Sequence, residues 1–258
     1  MTFLLTSSYN DGMRLHRFYS KSFTEHSASL DLDSLQSNHL SKVLRLAEGD
    51  TVEVFNGRGL TGKFEIKGIA RNKTKLFLTS NPIQEVQDSN KTSSIIPVLK
   101  KDNLHFMVQK LIEIGVNKIF IYRPDYVDQS IAKKNMSKII SKLEDIVVGA
   151  CKQSGRNFLP QIVFLKNLKE IVTDKDNFAI DRFIAFDFTG TNNLNNDDIK
   201  DDASIGLITG PESGFSEEER SLLIDKNVSI KLLGNHTLRA ETAAVVGLTL
   251  ARNFLGKL

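Results

Sequence analysis

Two glycine-containing loops near the C-terminal end constrain the fold most. Gly210-Pro211-Glu212-Ser213-Gly214-Phe215 follows an apolar run with Ile205, Leu207 and Ile208. Some twenty residues on, Leu233-Gly234-Asn235-His236-Thr237-Leu238-Arg239-Ala240-Glu241-Thr242-Ala243 follows a second apolar run. Each loop sits between a predicted strand and a predicted helix. Strand–loop–helix units repeated in this way build a mostly parallel sheet covered on both faces. Ligands of such sheets bind beyond the carboxyl ends of the strands. Neither loop has the Lys-Ser/Thr of a P-loop or three-glycine dinucleotide spacing, so a ligand other than a nucleotide polyphosphate is expected.

The rest of the second half agrees with that pattern. Ile95 to Leu99 and Lys118 to Tyr122 read as strands, as do Phe183 to Phe188, Ile205 to Thr209 and Val228 to Leu233. Helices are predicted from Asp102 to Ile114 with Gly115 as stop, from Met136 to Lys152, and from Glu241 to about Leu255. Ser216-Glu217-Glu218-Glu219 has the pattern of a capping box opening another helix.

Residues 14–82 differ. Thr51 to Phe55 and Lys63 to Ile66 alternate apolar and polar residues around Asn56-Gly57-Arg58-Gly59, a hairpin signal. Lys75 to Thr79 reads as another strand, and His39 to Arg45 as a short helix. Short strands at this spacing predict a small β-barrel. Residues 83–94 are polar and aperiodic and read as a linker, leaving 95–258 as the α/β domain.

Charge separates the two parts. Residues 1–82 hold 11 Lys/Arg against 8 Asp/Glu, which accounts for the whole net charge of +3. Lys67, Arg71, Lys73 and Lys75 lie in a stretch without acids. Such an excess suits a nucleic-acid backbone, and equally a solvated strand face. The lone Cys151 precludes an internal disulfide and fits a reducing cytoplasm, where it is expected as a buried apolar residue. The five scattered histidines lack metal-ligand spacing, so no metal is expected. No apolar run reaches the length of a membrane span.

Within the loops, Gly210 and Gly214 permit positive φ and close backbone approach to a ligand, or simply make a tight connection. Pro211 stiffens the turn. Glu212 is placed to accept hydrogen bonds from a ligand or to tie the loops together. Arg239 stands at the start of a helix, where a cation opposes the dipole. A local rule broken without visible gain points to function. Glu241, two residues on, suits the helix start and reads as a structural cap or a proton carrier.

Taken together, these residues resemble a known family. Ile208-Thr209-Gly210-Pro211-Glu212-x-Gly214-Phe215-Ser216-x-x-Glu219 and Leu233-Gly234-x-x-x-Leu238-Arg239-x-Glu241-Thr242-Ala243 resemble the paired C-terminal motifs of the 16S ribosomal RNA (uracil-N3) methyltransferases, of the SPOUT or α/β-knot superfamily. Four further matches fall in order. They are His16-Arg17-Phe18-Tyr19, His39-Leu40-x-x-Val43-Leu44-Arg45-x-x-x-Gly49-Asp50, Lys100-x-Asp102 with Gln109-Lys110-x-x-Glu113-x-Gly115, and Gln153-Ser154-Gly155-Arg156. Together they cover roughly residues 14 to 256, and residues 1–13 lie outside the pattern. Ser213 stands where the family usually has Gly.

The resemblance implies an N-terminal PUA-like β-barrel that binds RNA, a C-terminal trefoil-knotted α/β domain that binds S-adenosylmethionine, a homodimer and 16S ribosomal RNA as substrate. It implies a cofactor site built from Phe186, Thr209, Gly210, Pro211, Glu212, Gly214, Leu233, Gly234, Asn235, Thr237, Leu238 and Ala243. Arg239 and Glu241 are the expected catalytic pair. Arg17, His39, Arg45, Arg58, Lys73, Lys100 and Arg156 are the expected RNA contacts. Methylation of another RNA position and RNA binding without catalysis are the alternative readings.

Overall fold

A computed structural model describes residues 9–10, 13–70, 73–88, 91–126, 136–199 and 204–258. Two compact units emerge. The first comprises residues 1–87 with 151–159, and the second 88–150 with 160–258. Arg71, residues 127–135 and most of the N-terminal segment lie outside the described residues.

In the first unit, β1 (Tyr9–Asn10) and β2 (Met13–Arg14) form a small ribbon. The main sheet contains β3 (Arg17–Tyr19), β4 (Ser29–Leu32), β5 (Thr51–Phe55), β6 (Leu60–Ala70) and β7 (Lys73–Leu78). Their order is β3-β5-β6-β7-β4, and β8 (Ile83–Gln84) adds to β6. The hairpin expected at 56–59 joins β5 to β6 in antiparallel register. Every strand of the main sheet feeds one core, with Phe18, Leu30, Val54, Phe64 and Leu76 all buried. The sheet thus wraps around its own interior as a barrel does. The helix expected at 39–45 begins earlier. α1 (Ser34–Asn38), capped by Asp33, runs into a π-helical turn, His39–Val43. Arg45 then takes a left-handed conformation at φ 56°.

The domain boundary departs from expectation because residues 151–159 pack with the first unit. Buried Arg17 explains this. Its guanidinium pairs with Glu53, donates to the Cys151 carbonyl at 2.8 Å and the Arg156 carbonyl at 3.2 Å, and also bonds Asn157. Backbone bonds from Gly59 to Asn157 and from Leu159 to Gly57 complete the join. The expected linker is also partly structured, because β8 claims its start and the next strand its end.

In the second unit, β9 (Thr92–Pro97), β10 (Lys118–Tyr122), β11 (Gln161–Leu165), β12 (Arg182–Phe186), β13 (Ile205–Thr209) and β14 (Ser229–Lys231) form a six-stranded parallel sheet. Its order is β11-β10-β9-β13-β12-β14. Register aligns Val163, Phe120, Ile95, Ile208, Ala185 and Ile230 in one row. Most of that row faces a core shared with α4 (Leu168–Thr173) and α5 (Glu217–Asp225). On β9 and β13 packs α6 (Ala240–Phe254), which also packs against α2 (Lys101–Ile114). α3 (Met136–Ser154) follows β10. Neither β11 nor α4 is foreseen by the sequence reading.

Several helix ends follow the sequence. Gly115 ends α2 at φ 111°, and Ser216 and Glu219 form the capping box of α5. Asp102 is not the cap of α2. It lies in the first turn, after Lys100 at the cap position.

Candidate functional site

β12 lies between β13 and β14, and all three run parallel. The loops leaving their carboxyl ends therefore emerge side by side, where open α/β sheets bind ligands. The first loop, 187–199, was not foreseen beyond Phe186. β12 stops two residues short of the expected end because Asp187 turns the chain, accepting from the Thr189 amide at 2.9 Å. The loop then clasps the strand that feeds the third. Leu232 donates to the Asn192 carbonyl and accepts from Leu194, and Asn193 Oδ1 accepts from the Gly234 amide at 3.2 Å. This clasp shortens β14 relative to the expected 228–233. The only sequence signal was the turn-rich Gly190-Thr191-Asn192-Asn193 after an apolar run.

The second loop is a closed turn. Gly214 donates to the Pro211 carbonyl at 2.9 Å and sits at φ 77°, where glycine is needed. Gly210 corrects the expectation. Its φ is not positive, and a Cβ there would meet the Phe215 ring at 3.3 Å, so glycine at 210 makes room for a core aromatic. Glu212 accepts from Asn103 of α2 at 3.2 Å, tying this loop to the helix after β9 and not to the third loop. The carbonyl of buried Thr209 accepts from Tyr122 Oη at 3.0 Å. Asp125 reinforces the start of α5 by accepting from Ser216 Oγ at 2.6 Å. Burial is the largest influence on Glu219 beside it and raises that carboxyl above its usual range.

The third loop is the open one. Gly234, Asn235 and Thr237 are exposed, and Gly234 at φ 117° has no atom within 4 Å of where a Cβ would stand. Leu233 and Leu238 are half-buried beside them, as is Ala243, whose amide bonds the Arg239 carbonyl. Phe186 is buried against Gly247 of α6. Arg239 is the residue before α6, with no side-chain capping bond. Its side chain is exposed and has no hydrogen bond or ion pair with another described residue. Glu241 is only 9% exposed, and its Oε2 is buried without a partner among the described residues. The two do not pair with each other, as expected two residues apart on a helix. Glu241 therefore does not orient Arg239.

The expected RNA contacts divide. Arg17 is buried inside the first unit and serves the join described above. Lys73 pairs with Asp31 at 3.0 Å, Lys67 pairs with Glu65 at 2.6 Å, and Lys75 lies over Phe77. Lys67 and Lys73 of the basic stretch are thus locally compensated. Arg156 is half-buried, with its carbonyl on Arg17. His39, Arg45 and Arg58 of the first unit are exposed, as is Lys100 of the second. Partial desolvation, then the charges of Lys152 and His16, lowers the His39 pKa below its ordinary value. Cys151 is buried as expected, and burial raises its thiol to about 11.

Comparison with known proteins gives the same frame. Residues 87–252 match the model of an RNA methyltransferase domain, and residues 32–78 that of an RNA methyltransferase PUA domain. A ribosomal RNA small subunit methyltransferase E of Borreliella burgdorferi is 30% identical over 82% of this chain and 85% of its own. That of Mesomycoplasma hyopneumoniae is 28% identical over 84% and 91%. Among solved structures, a Legionella pneumophila methyltransferase in complex with S-adenosylmethionine superposes with a TM-score of 0.85 at 24% identity, covering 93% of this chain and 98% of that one. The Neisseria gonorrhoeae methyltransferase E bound to S-adenosylmethionine gives 0.81 at 23% identity, with the same coverage. These likenesses carry the fold, a SPOUT α/β-knot domain with a PUA-like barrel. With one family model spanning well over half of its length, the chain belongs to the RNA methyltransferase family that includes the ribosomal RNA small subunit methyltransferases E.

Proposed function

We propose that this protein transfers a methyl group from S-adenosylmethionine to N3 of a uridine in small-subunit ribosomal RNA. The observation that carries the reading is Arg239, an exposed guanidinium beside the open third loop with no side-chain partner among the described residues. The residues present fit the cofactor. Loop 233–237 offers exposed backbone groups, Leu233 and Leu238 offer apolar walls, and Glu241 Oε2 is a buried acceptor without a donor among the described residues. Gly214 and Pro211 hold the facing turn. When bound, S-adenosylmethionine supplies an electrophilic methyl on a sulfonium.

This chain's residues prepare the other reactant. Uracil N3 carries a proton, so the base must lose it before or as N3 bonds to the methyl carbon. Arg239 beside the base stabilises the developing negative charge and favours its loss. Glu241 takes the proton directly or through water, its carboxylate being committed to no other group among the described residues. The bound cofactor would supply the methyl carbon to N3 and would keep the C–S electron pair on sulfur as a thioether.

In this reading the first unit supplies RNA affinity through Arg45, Arg58 and His39, with Lys100 contributing from the second unit. The protein works as a cytoplasmic homodimer. Among the described residues no helix is long and apolar enough to cross a membrane. Nucleoside mass spectrometry of small-subunit RNA after incubation with protein and cofactor tests the position. 3-Methyluridine is expected. A methylated ribose or another methylated base would refute the N3 assignment, and no methylated nucleoside would refute catalysis.

A further inference from the structure

Phe188 stands just beyond the carboxyl end of β12, in the first of the three loops. It is a large aromatic left 71% exposed. A single exposed apolar residue needs no explanation by itself. Phe188 differs because a charged side chain supports one side of it. The Arg220 guanidinium lies over the ring, 5.1 Å from its centroid. Arg220 is itself only 18% exposed. The Asp187 carboxylate, 4% exposed, lies at ion-pair distance, 3.6 Å from its Nε, and Glu217 accepts from its Nη1 at 2.8 Å. Its other terminal nitrogen lies 3.4 Å from where a Gly214 Cβ would be. Arg220 thus reaches the first loop, the second loop and the first turn of α5 at once.

The result is an aromatic ring stacked on a fixed cation beside the candidate site. Guanidinium–aromatic stacking is electrostatically favourable, and a ring held from behind loses little freedom when something stacks on its open side. Flat, π-faced ligands gain most from such a platform. Nucleobases in single-stranded RNA are a ligand class that proteins bind in this way. An enzyme acting on N3 must also draw its target out of any pairing, which leaves adjacent bases in need of new stacking partners.

We propose that Phe188, backed by Arg220, is a stacking platform for an unpaired base of the RNA substrate next to the modified nucleotide. The proposal rests on the methyl-transfer reading for its location but not for its test. Binding of a fluorescein-labelled single-stranded oligouridylate to the full chain is followed by fluorescence anisotropy, and S-adenosylmethionine binding by calorimetry. Phe188→Ala should weaken RNA binding about 10-fold, the scale of one lost base stack. Phe188→Leu keeps apolar bulk without the π face and should not restore it, whereas Phe188→Trp should. Cofactor affinity should stay within twofold in all three. With small-subunit RNA as methyl acceptor, the same variants should raise KM and spare kcat.

Full RNA affinity in a folded Phe188→Ala would overturn the platform. So would a fall in S-adenosylmethionine affinity without an RNA effect, which would turn the ring towards the cofactor's adenine. A change in oligomeric state without an RNA effect would instead assign the ring to a protein surface. Because the anisotropy experiment needs no turnover, failure of methyl transfer would leave its result intact.

Discussion

Gly247 offers a sharp test of how the candidate site is built. An alanine there would put its Cβ 2.2 Å from Cε2 and 2.6 Å from Cζ of Phe186. The ring cannot swing clear, because it is 8% exposed and its backbone is fixed between Thr209 and Lys231 in the sheet. Overpacking of this kind costs about 1–3 kcal/mol. Replacing a helix-interior glycine by alanine gains about 1 kcal/mol, so the net loss should be about 0–2 kcal/mol. Phe186→Leu removes the two offending atoms. In that background Gly247→Ala should stabilise by about 1 kcal/mol, so the cycle should show about 1–3 kcal/mol of coupling. Urea unfolding followed by circular dichroism measures all four corners. Cofactor affinity should fall in Gly247→Ala alone, since the displaced ring ends β12 beside the three loops. Additive effects, or an alanine that stabilises the wild-type background, would refute the close contact.

Other expectations follow from single side chains. Arg17→Ala should destabilise the first unit by about 3 kcal/mol, since it leaves Glu53 buried without its partner; an unchanged unfolding midpoint would count against the join to residues 151–159. Cys151, with its thiol raised to about 11 by burial, should resist alkylation at pH 8 in the native protein and react fully in urea; rapid native labelling would contradict its burial. Arg45→Ala should weaken RNA binding and reduce its salt dependence, whereas Lys73→Ala, already paired with Asp31, should change affinity less than twofold; the reverse ranking would relocate the RNA surface.

Local signals were readable where a few adjacent residues settle the geometry. The Ser216 capping box, the Gly115 stop and the 56–59 hairpin each depend on groups within a turn of one another. What escaped depends on distant partners. The family resemblance implies Arg17 as an RNA contact, although Glu53 and residues 151–157 bury it. For Gly210 the sequence leaves ligand approach and a tight connection both open, and the packing of Phe215 five residues on, 3.3 Å from where a Cβ would stand, is invisible to it. β11 and α4 carry local marks, Pro160 before the strand and Asn167 capping the helix with Glu170, but their place is fixed by pairing with β10 and by the core under the sheet. The two terminal loops pointed to the site, but the clasp of 187–194 on Leu232 is a long-range backbone arrangement that no local pattern encodes.

The most direct test of the central claim is the single-turnover methyl-transfer rate of Arg239→Ala, measured on preformed complex. The account predicts a fall of about 10²-fold or more, the usual scale for losing one transition-state contact, with little change in cofactor affinity. Arg239→Lys should recover only part of the rate, because a point charge does not reproduce the guanidinium fork. Raising the pH should recover part of the loss in Arg239→Ala, since deprotonation of N3 then needs less help. A wild-type rate in Arg239→Ala would contradict the account, and a loss confined to RNA affinity would reassign Arg239 to binding.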